Sequence, residues 1–176
     1  LKPTIGYTKF HRLSRKSSLS MNVEGGYIFP FNDDCAHRYD ELTKEITNLC
    51  VPASDRFLVG GEFSVRGFEY GTLGPFETFP NVGPSPAGGY KYHTYNFEYI
   101  YRINDPLRFV LFADAGKAYG YREKIDFGSL RYAVGAELRI FLPVFQFPLR
   151  FIYAMNPDKQ PGDYFQGFQF TIGNTF

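Results

Sequence analysis

The sequence predicts an all-β fold of antiparallel strands, with a transmembrane β-barrel favoured over a soluble β-sandwich. Three observations support this prediction. Apolar and polar residues alternate with a period of two over several segments, 19% of the residues are aromatic without any Trp, and the connections alternate between short and long. A sandwich also buries one face of each strand, but nothing in its architecture sorts connections by length.

Seven segments carry the alternation and are predicted as strands. The clearest lies in residues 128–142, where one face is apolar and the other carries Arg131, Glu137 and Arg139. The apolar face there consists of Leu130, Tyr132, Val134, Ala136, Leu138 and Ile140. The predicted strands span residues 2–13, 17–31, 90–103, 107–118, 128–142, 149–156 and 164–176.

The connections between these strands fall into two classes. The short ones lie at residues 14–16, at residues 104–105 and around Pro143. The long ones lie at residues 31–89, 119–128 and 157–163. Outer-membrane barrels have short turns on one side of the membrane and long loops on the other, so this alternation is typical of a barrel.

The number of strands leaves two interpretations open, because single-chain bacterial barrels normally close with an even number. An eighth strand could lie at residues 56–59, which would give a small self-contained barrel. Alternatively the sheet is open, and this chain is the C-terminal part of a larger barrel.

Composition excludes two classes of protein. The 19 Lys and Arg residues against 18 Asp and Glu give a net charge of +1, which argues against nucleic acid as a partner. No apolar run approaches the roughly 18–20 residues of a membrane-spanning helix, so a helical membrane protein is excluded. Because the chain starts without an initiator Met or a signal segment, we expect that a leader was removed or that more protein precedes it.

The long connection at residues 31–89 far exceeds the usual loop length, and such loops are typically functional or disordered. Its composition argues against simple disorder, so we expect it to be functional. It contains a short helix candidate at residues 40–49 and an aromatic, Gly-rich run at residues 57–70 that surrounds Arg66. The guanidinium group of Arg66 suits carboxylates, and Glu98 and Asp114 lie on later strands. From spacing alone, a solvated surface Arg in a flexible loop is the favoured interpretation.

Cys35 and Cys50 lie within the same long connection. In an oxidising compartment a disulfide between them would stabilise the fold by about 3 kcal/mol, whereas in a reducing compartment they would be free thiols. Both states are open from the sequence.

No motif indicates catalysis, a cofactor or a metal site. His11, His37 and His93 are too dispersed to suggest metal ligands. Charges such as those of Glu137 and Arg139 on a polar strand face are ordinarily solvated or paired with one another, so we expect no enzymatic activity.

The motif Val65-Arg66-Gly67-Phe68 resembles the signature of the sixth extracellular loop in the BamA family of outer-membrane protein assembly factors, part of the bacterial surface antigen superfamily. Gly60-Gly61 precedes it and Leu73-Gly74-Pro75 follows it, as in that family. The resemblance continues in family order through residues 96–99, 112–116, 130–135, 148–151 and 168–176. This sequence departs from the family in lacking Trp and in placing both cysteines before the motif.

The resemblance implies a sixteen-stranded barrel in the outer membrane of a diderm bacterium, with this chain as its last seven strands and the long loop folded into the lumen. It implies that POTRA domains precede the barrel outside this chain, and that Arg66 pairs with Glu98 and Asp114. The last strand would be the movable side of a lateral gate. Its gate and C-terminal signal residues would be Gly167, Phe168, Phe170, Ile172, Gly173 and Phe176.

The implied function is to fold and insert barrel proteins, without a cofactor. Its partners would be unfolded outer-membrane proteins, accessory lipoproteins and outer-membrane lipid. Two alternatives remain at this point: a two-partner secretion translocator of the same superfamily, and a small porin-like barrel.

Overall fold

The computed structural model describes residues 1–30, 38–39, 46–47, 51–79, 83–142 and 147–173. The described residues form eleven strands and two short 3-10 helices, at Ala53–Asp55 and Phe127–Ser129. The strands are β1 (Thr4–Arg12), β2 (Ser17–Tyr27), β3 (Arg38–Tyr39), β4 (Ile46–Thr47), β5 (Phe76–Phe79), β6 (Gly83–Pro86), β7 (Lys91–Arg102), β8 (Leu107–Tyr119), β9 (Arg131–Ile140), β10 (Leu149–Met155) and β11 (Phe168–Ile172). No helix among these residues is long and apolar enough to cross a membrane.

Seven strands form one antiparallel sheet in the order β1-β2-β7-β8-β9-β10-β11. Neighbours in the sheet are also neighbours in sequence, apart from the long connection between β2 and β7. That connection contains two small hairpins, β3-β4 and β5-β6. Within the described residues β1 and β11 do not pair with each other, so the sheet is an open part of a barrel.

Each of the seven predicted strand ranges overlaps one strand of this sheet. The largest difference is in the last range, where β11 begins at Phe168 rather than at residue 164. Residues 164–166 instead contact the long loop, through backbone hydrogen bonds from Glu69 N–H to the Tyr164 carbonyl and from Gln166 N–H to the Gly67 carbonyl. Pairing with the loop therefore replaces part of the sheet there.

Two expectations for the long connection are wrong. The eighth strand proposed at residues 56–59 does not form; Phe57 makes only an isolated bridge with Gly89, because this segment lies against the inside of the sheet. The helix proposed at residues 40–49 is contradicted at Ile46–Thr47, which pairs as a strand with Arg38–Tyr39. The rest of that range lies outside the described residues.

The sheet has a polar inward face and an apolar outward face. Along β7 the side chains of Asn96 and Glu98 are buried, whereas the intervening Phe97 and Tyr99 are exposed. A soluble domain has the opposite arrangement, since its apolar side chains are mostly inside. Barrels that face lipid alternate in this way, with apolar residues outward and polar residues toward the lumen.

Candidate functional site

The loop between β2 and β7 folds back onto the inward face of the sheet. Val65 and Phe68 of the sequence motif have no exposed surface. They pack in one apolar cluster with Val59, Leu73, Ala118 and Ala133, the last two of which belong to β8 and β9. The motif therefore lies inside the curve of the sheet.

Arg66 is fully buried and binds three carboxylates. Its Nε and Nη2 atoms donate to the two oxygens of Asp114, at 2.6 and 2.8 Å. Its Nη1 donates to Glu98 Oε1 and to Glu137 Oε2, each at 2.7 Å. The backbone N–H of Arg66 also donates to Asp114 Oδ2 at 3.1 Å, so one carboxylate holds both the side chain and the main chain of the loop.

The three carboxylates come from three adjacent strands. Glu98 lies on β7, Asp114 on β8 and Glu137 on β9, and the period of two directs all three side chains inward. Burial alone would lower the pKa of Arg66, but Asp114, Glu98 and Glu137 together raise it above its ordinary value. The loop cation is thereby held in its charged form.

Two further arginines complete the arrangement. Arg139 donates to Glu98 at 2.5 Å and to Glu137 at 2.6 Å, and Arg150 of β10 donates to Glu137 at 2.7 Å. We call this group the Arg66 cluster: Arg66, Glu98, Asp114, Glu137, Arg139 and Arg150. It holds three positive and three negative charges, so burial inside the sheet leaves no net charge uncompensated.

An aromatic ring supports the guanidinium group from one side. The Arg66 Cζ atom lies 3.9 Å from the centre of the Phe112 ring, a distance suited to a cation–π contact. Phe112 faces Gly135 across the β8-β9 pair. A Cβ at Gly135 would lie 2.6 Å from Phe112 Cζ, so the glycine leaves the space that the ring occupies.

Gly67 allows the loop to approach β10 and the segment before β11. Its φ of 87° is in the left-handed region that favours glycine. Its N–H donates to Gln169 Oε1 at 2.8 Å, and Gln169 Nε2 donates to the Phe68 carbonyl at 3.2 Å. Phe68 also packs edge-on against Phe165. The motif is therefore bound to β11 as well as to β7, β8 and β9.

The remaining predicted site residues are only partly brought together. Phe168, Phe170 and Ile172 project outward from β11 and are more than half exposed. Gly167 and Gly173 flank that strand. Phe176, Cys35 and Cys50 lie outside the described residues, so the predicted C-terminal signal and the possible disulfide stay predictions.

The sequence prediction named Glu98 and Asp114 as partners of Arg66, and the structure places both there. The sequence prediction did not name Glu137, Arg150 or Gln169 as members of this site. The sequence shows Glu137 as a charge on a polar strand face, and the parity that it shares with Ala133 and Gly135 is the signal that directs it inward. In the described part of the chain, no group of three or more His, Cys, Asp or Glu residues could hold a metal ion.

Replacement of Gln169 by Leu is expected to loosen the loop from the last strand. The change leaves the buried N–H of Gly67 without its acceptor, at a cost of about 1–3 kcal/mol. Hydrogen exchange of the peptide that carries Gly67, in the full-length protein, should become faster. Gln160→Leu is the control, because the Gln160 side chain is exposed and bonds only to Asp158. Equal exchange rates in the two variants would contradict the assigned contact.

Comparisons with known proteins agree with this geometry. A family model described as the Omp85 superfamily domain matches residues 1–176. The outer membrane protein assembly factor BamA of Neisseria meningitidis serogroup B is 32% identical over 203 residues, which cover 98% of this chain and 23% of the relative. The protein of that name in Nitratidesulfovibrio vulgaris is 27% identical over 181 residues, which cover 100% of this chain and 20% of the relative.

A eukaryotic relative and a solved structure are also similar. A SAM50-like protein of Schizosaccharomyces pombe is 30% identical over 108 residues, 58% of this chain and 18% of the relative. The crystal structure of BamA from Haemophilus ducreyi lacking POTRA domains 1–3 matches with a TM-score of 0.72 and 22% identity, over 96% of this chain and 34% of that one. The similarity to the Haemophilus ducreyi structure shows a shared fold.

The chain spans only 20–23% of the length of the two BamA relatives. The family model nevertheless matches it from end to end, and its open sheet is polar inside and apolar outside. The chain belongs to the Omp85 superfamily, and its seven strands are part of an outer-membrane β-barrel.

Proposed function

We propose that this chain is the C-terminal part of the barrel of an outer-membrane protein assembly factor, which folds and inserts other barrel proteins through a lateral gate. The observation that carries the proposal is a contrast within the sheet. The Arg66 cluster ties the loop to β7, β8, β9 and β10, whereas β11 has five residues and is tied to the loop mainly through Gln169.

The physical task of such a protein is to bring unpaired strands into a membrane. Each unsatisfied backbone N–H or C=O in hydrocarbon costs several kcal/mol, so a free strand does not enter lipid alone. A barrel that exposes a strand edge offers hydrogen-bond partners to the entering strand, and each added strand presents a new edge. No covalent bond is made or broken in this process, so no enzymatic activity is proposed.

The last strand has the features that a gate requires. Its flanking residues Gly167 and Gly173 contribute no side-chain packing, which weakens the strand. Its outward side chains are apolar and suit a lipid environment while the strand moves. Unfolded outer-membrane proteins are the proposed clients, with accessory lipoproteins and outer-membrane lipid as further partners.

The test is client folding by the full-length protein in proteoliposomes, scored as heat-modifiable, protease-protected client barrel. One variant places a cysteine at Phe170 and a second on the strand that faces the free edge of β11, so that oxidation locks the gate. The matched control is Phe151→Cys with Phe170→Cys, because these positions face each other across the existing β10-β11 pair.

We expect oxidation of the gate pair to stop client folding and reduction to restore it, while the control pair stays active in both states. Undiminished folding by the oxidised gate variant would contradict the gate. Wild-type protein that does not accelerate client folding at all would favour the secretion translocator instead. The open sheet gives no support to a self-contained small barrel.

A further inference from the structure

Four arginines lie side by side on the inward face of the sheet, toward the short turns. In the strand register, Arg102 of β7 lies opposite Arg108 of β8. Arg108 in turn lies opposite Arg139 of β9, and Arg139 lies opposite Arg150 of β10. Like charges in directly opposite positions destabilise a sheet. Such a row therefore needs compensation by negative charge.

The carboxylates of the Arg66 cluster compensate the positive charge of only two of these four arginines. Arg139 and Arg150 belong to that cluster, whose three carboxylates already balance its three arginines. Among the described residues Arg102 forms an ion pair only with the exposed Asp105, at 4.0 Å. Among the described residues no carboxylate forms an ion pair with Arg108, whose guanidinium group instead lies 4.2 Å from the centre of the Phe141 ring.

The end of β1 and the turn between β1 and β2 bring three more cations to the same place. We call the whole group the basic patch: Arg12, Arg15, Lys16, Arg102 and Arg108. Arg12 Nε donates to the Ser14 carbonyl and Arg102 Nη2 donates to the Arg15 carbonyl, each at 3.0 Å, so the side chains and the turn hold one another in place. In the described part of the chain, Asp105 is the only carboxylate paired with this patch.

The basic patch surrounds a cavity of about 480 Å³, which Phe10, Ile100 and three serines also line. Each arginine side chain has five N–H donors, and the backbone carbonyls engage only a few of them. The cavity therefore offers several charge-assisted donors beside apolar surface. This combination suits a ligand that carries both carboxylates and carbon-rich side chains.

We infer that the basic patch binds an acidic polypeptide segment at the periplasmic end of the lumen. In this family of barrels the short turns lie on the periplasmic side. The patch faces inward, whereas the lipid side of the same strands carries residues such as Tyr101, Phe109 and Leu138. Lipid phosphates are thus on the wrong side of the sheet, and a carboxylate-bearing chain from the periplasm or the lumen is the ligand that can reach it.

Fluorescence anisotropy of a fluorescein-labelled hexaglutamate peptide with the full-length protein in nanodiscs tests this inference. The variant is Arg102→Gln with Arg108→Gln. Its matched control, Arg122→Gln with Lys124→Gln, removes the same charge from an exposed loop at the opposite end of the strands. Arg102→Lys with Arg108→Lys keeps the charge. Heat-modifiable mobility checks that every variant is folded.

We expect salt-sensitive binding that weakens about tenfold or more in the double Gln variant, since two charge-assisted donor groups are lost. The control should bind like wild type, and the double Lys variant should retain most of the binding. Equal weakening in the Gln variant and its control, equal binding of hexaglutamine, or stronger competition by inorganic phosphate than by unlabelled hexaglutamate would each overturn the inference. Client folding is not measured, so this result stands apart from the proposed assembly function.

Discussion

Replacing Arg66 by Ala is expected to release the loop from the inside of the barrel. The change leaves Asp114, Glu98 and Glu137 buried with fewer cations than carboxylates. Breaking a buried ion pair by removing one partner costs about 3–5 kcal/mol. In the full-length protein we therefore expect a lower temperature of heat-modifiable unfolding, protease cleavage within residues 51–79 and slower client folding.

Two variants separate this effect from a general loss of charge. Arg122→Ala removes an exposed cation from the loop at residues 120–130 and should behave like wild type. Arg66→Lys keeps the charge but loses the two-pronged contact with Asp114, so its stability should lie between those of wild type and Arg66→Ala. If Arg66→Ala left both the protease pattern and the unfolding temperature unchanged, the Arg66 cluster would not hold the loop.

Replacing Gly67 by Ala is expected to have the second largest effect. The φ of 87° is unfavourable for any residue with a side chain, at about 1–2 kcal/mol. In addition the new Cβ would lie 2.5 Å from the Ala154 Cβ and 2.7 Å from Phe165 Cε2, a steric overlap that costs about 1–3 kcal/mol more. Denaturant unfolding of the full-length protein measures the sum.

Gly162 provides a matched control for the backbone contribution. Its φ is 89°, close to that of Gly67, but a Cβ there would meet nothing within 4 Å. Gly162→Ala should therefore show only the backbone cost. An equal loss of stability in the two variants would mean that the loop does not press against β10 and the segment before β11.

The sheet was largely predictable from the sequence because one face of each strand meets lipid. That condition makes the alternation of residues sharp, as in β9, where Tyr132 and Leu138 point outward and Glu137 points inward. The start of β11 was not predictable in this way. Residues 164–166 continue the alternating pattern of the strand, but they hydrogen-bond to the loop, which is a tertiary contact that alternation does not encode.

The candidate site was predictable only in part, and for a related reason. The resemblance of the motif placed Arg66 opposite Glu98 and Asp114. The positions of Glu137 and Arg150 depend on the register of β9 against β10, where Glu137 faces Ile152 and Arg150 faces Arg139. Register is fixed by side-chain packing and turn geometry over the whole sheet, so spacing in the sequence does not give it.

The Arg66 cluster also constrains how the strands can slide. A shift of one residue between two strands moves every side chain of one of them to the opposite face. Such a shift at β7, β8 or β9 would carry Glu98, Asp114 or Glu137 out of the lumen and into lipid, and a shift at β10 would do the same to Arg150. Arg66 thus fixes the register of β7, β8 and β9, and the contact of Arg150 with Glu137 adds β10. β11 carries no charged side chain, so a shift of that strand would expose no charge to the membrane.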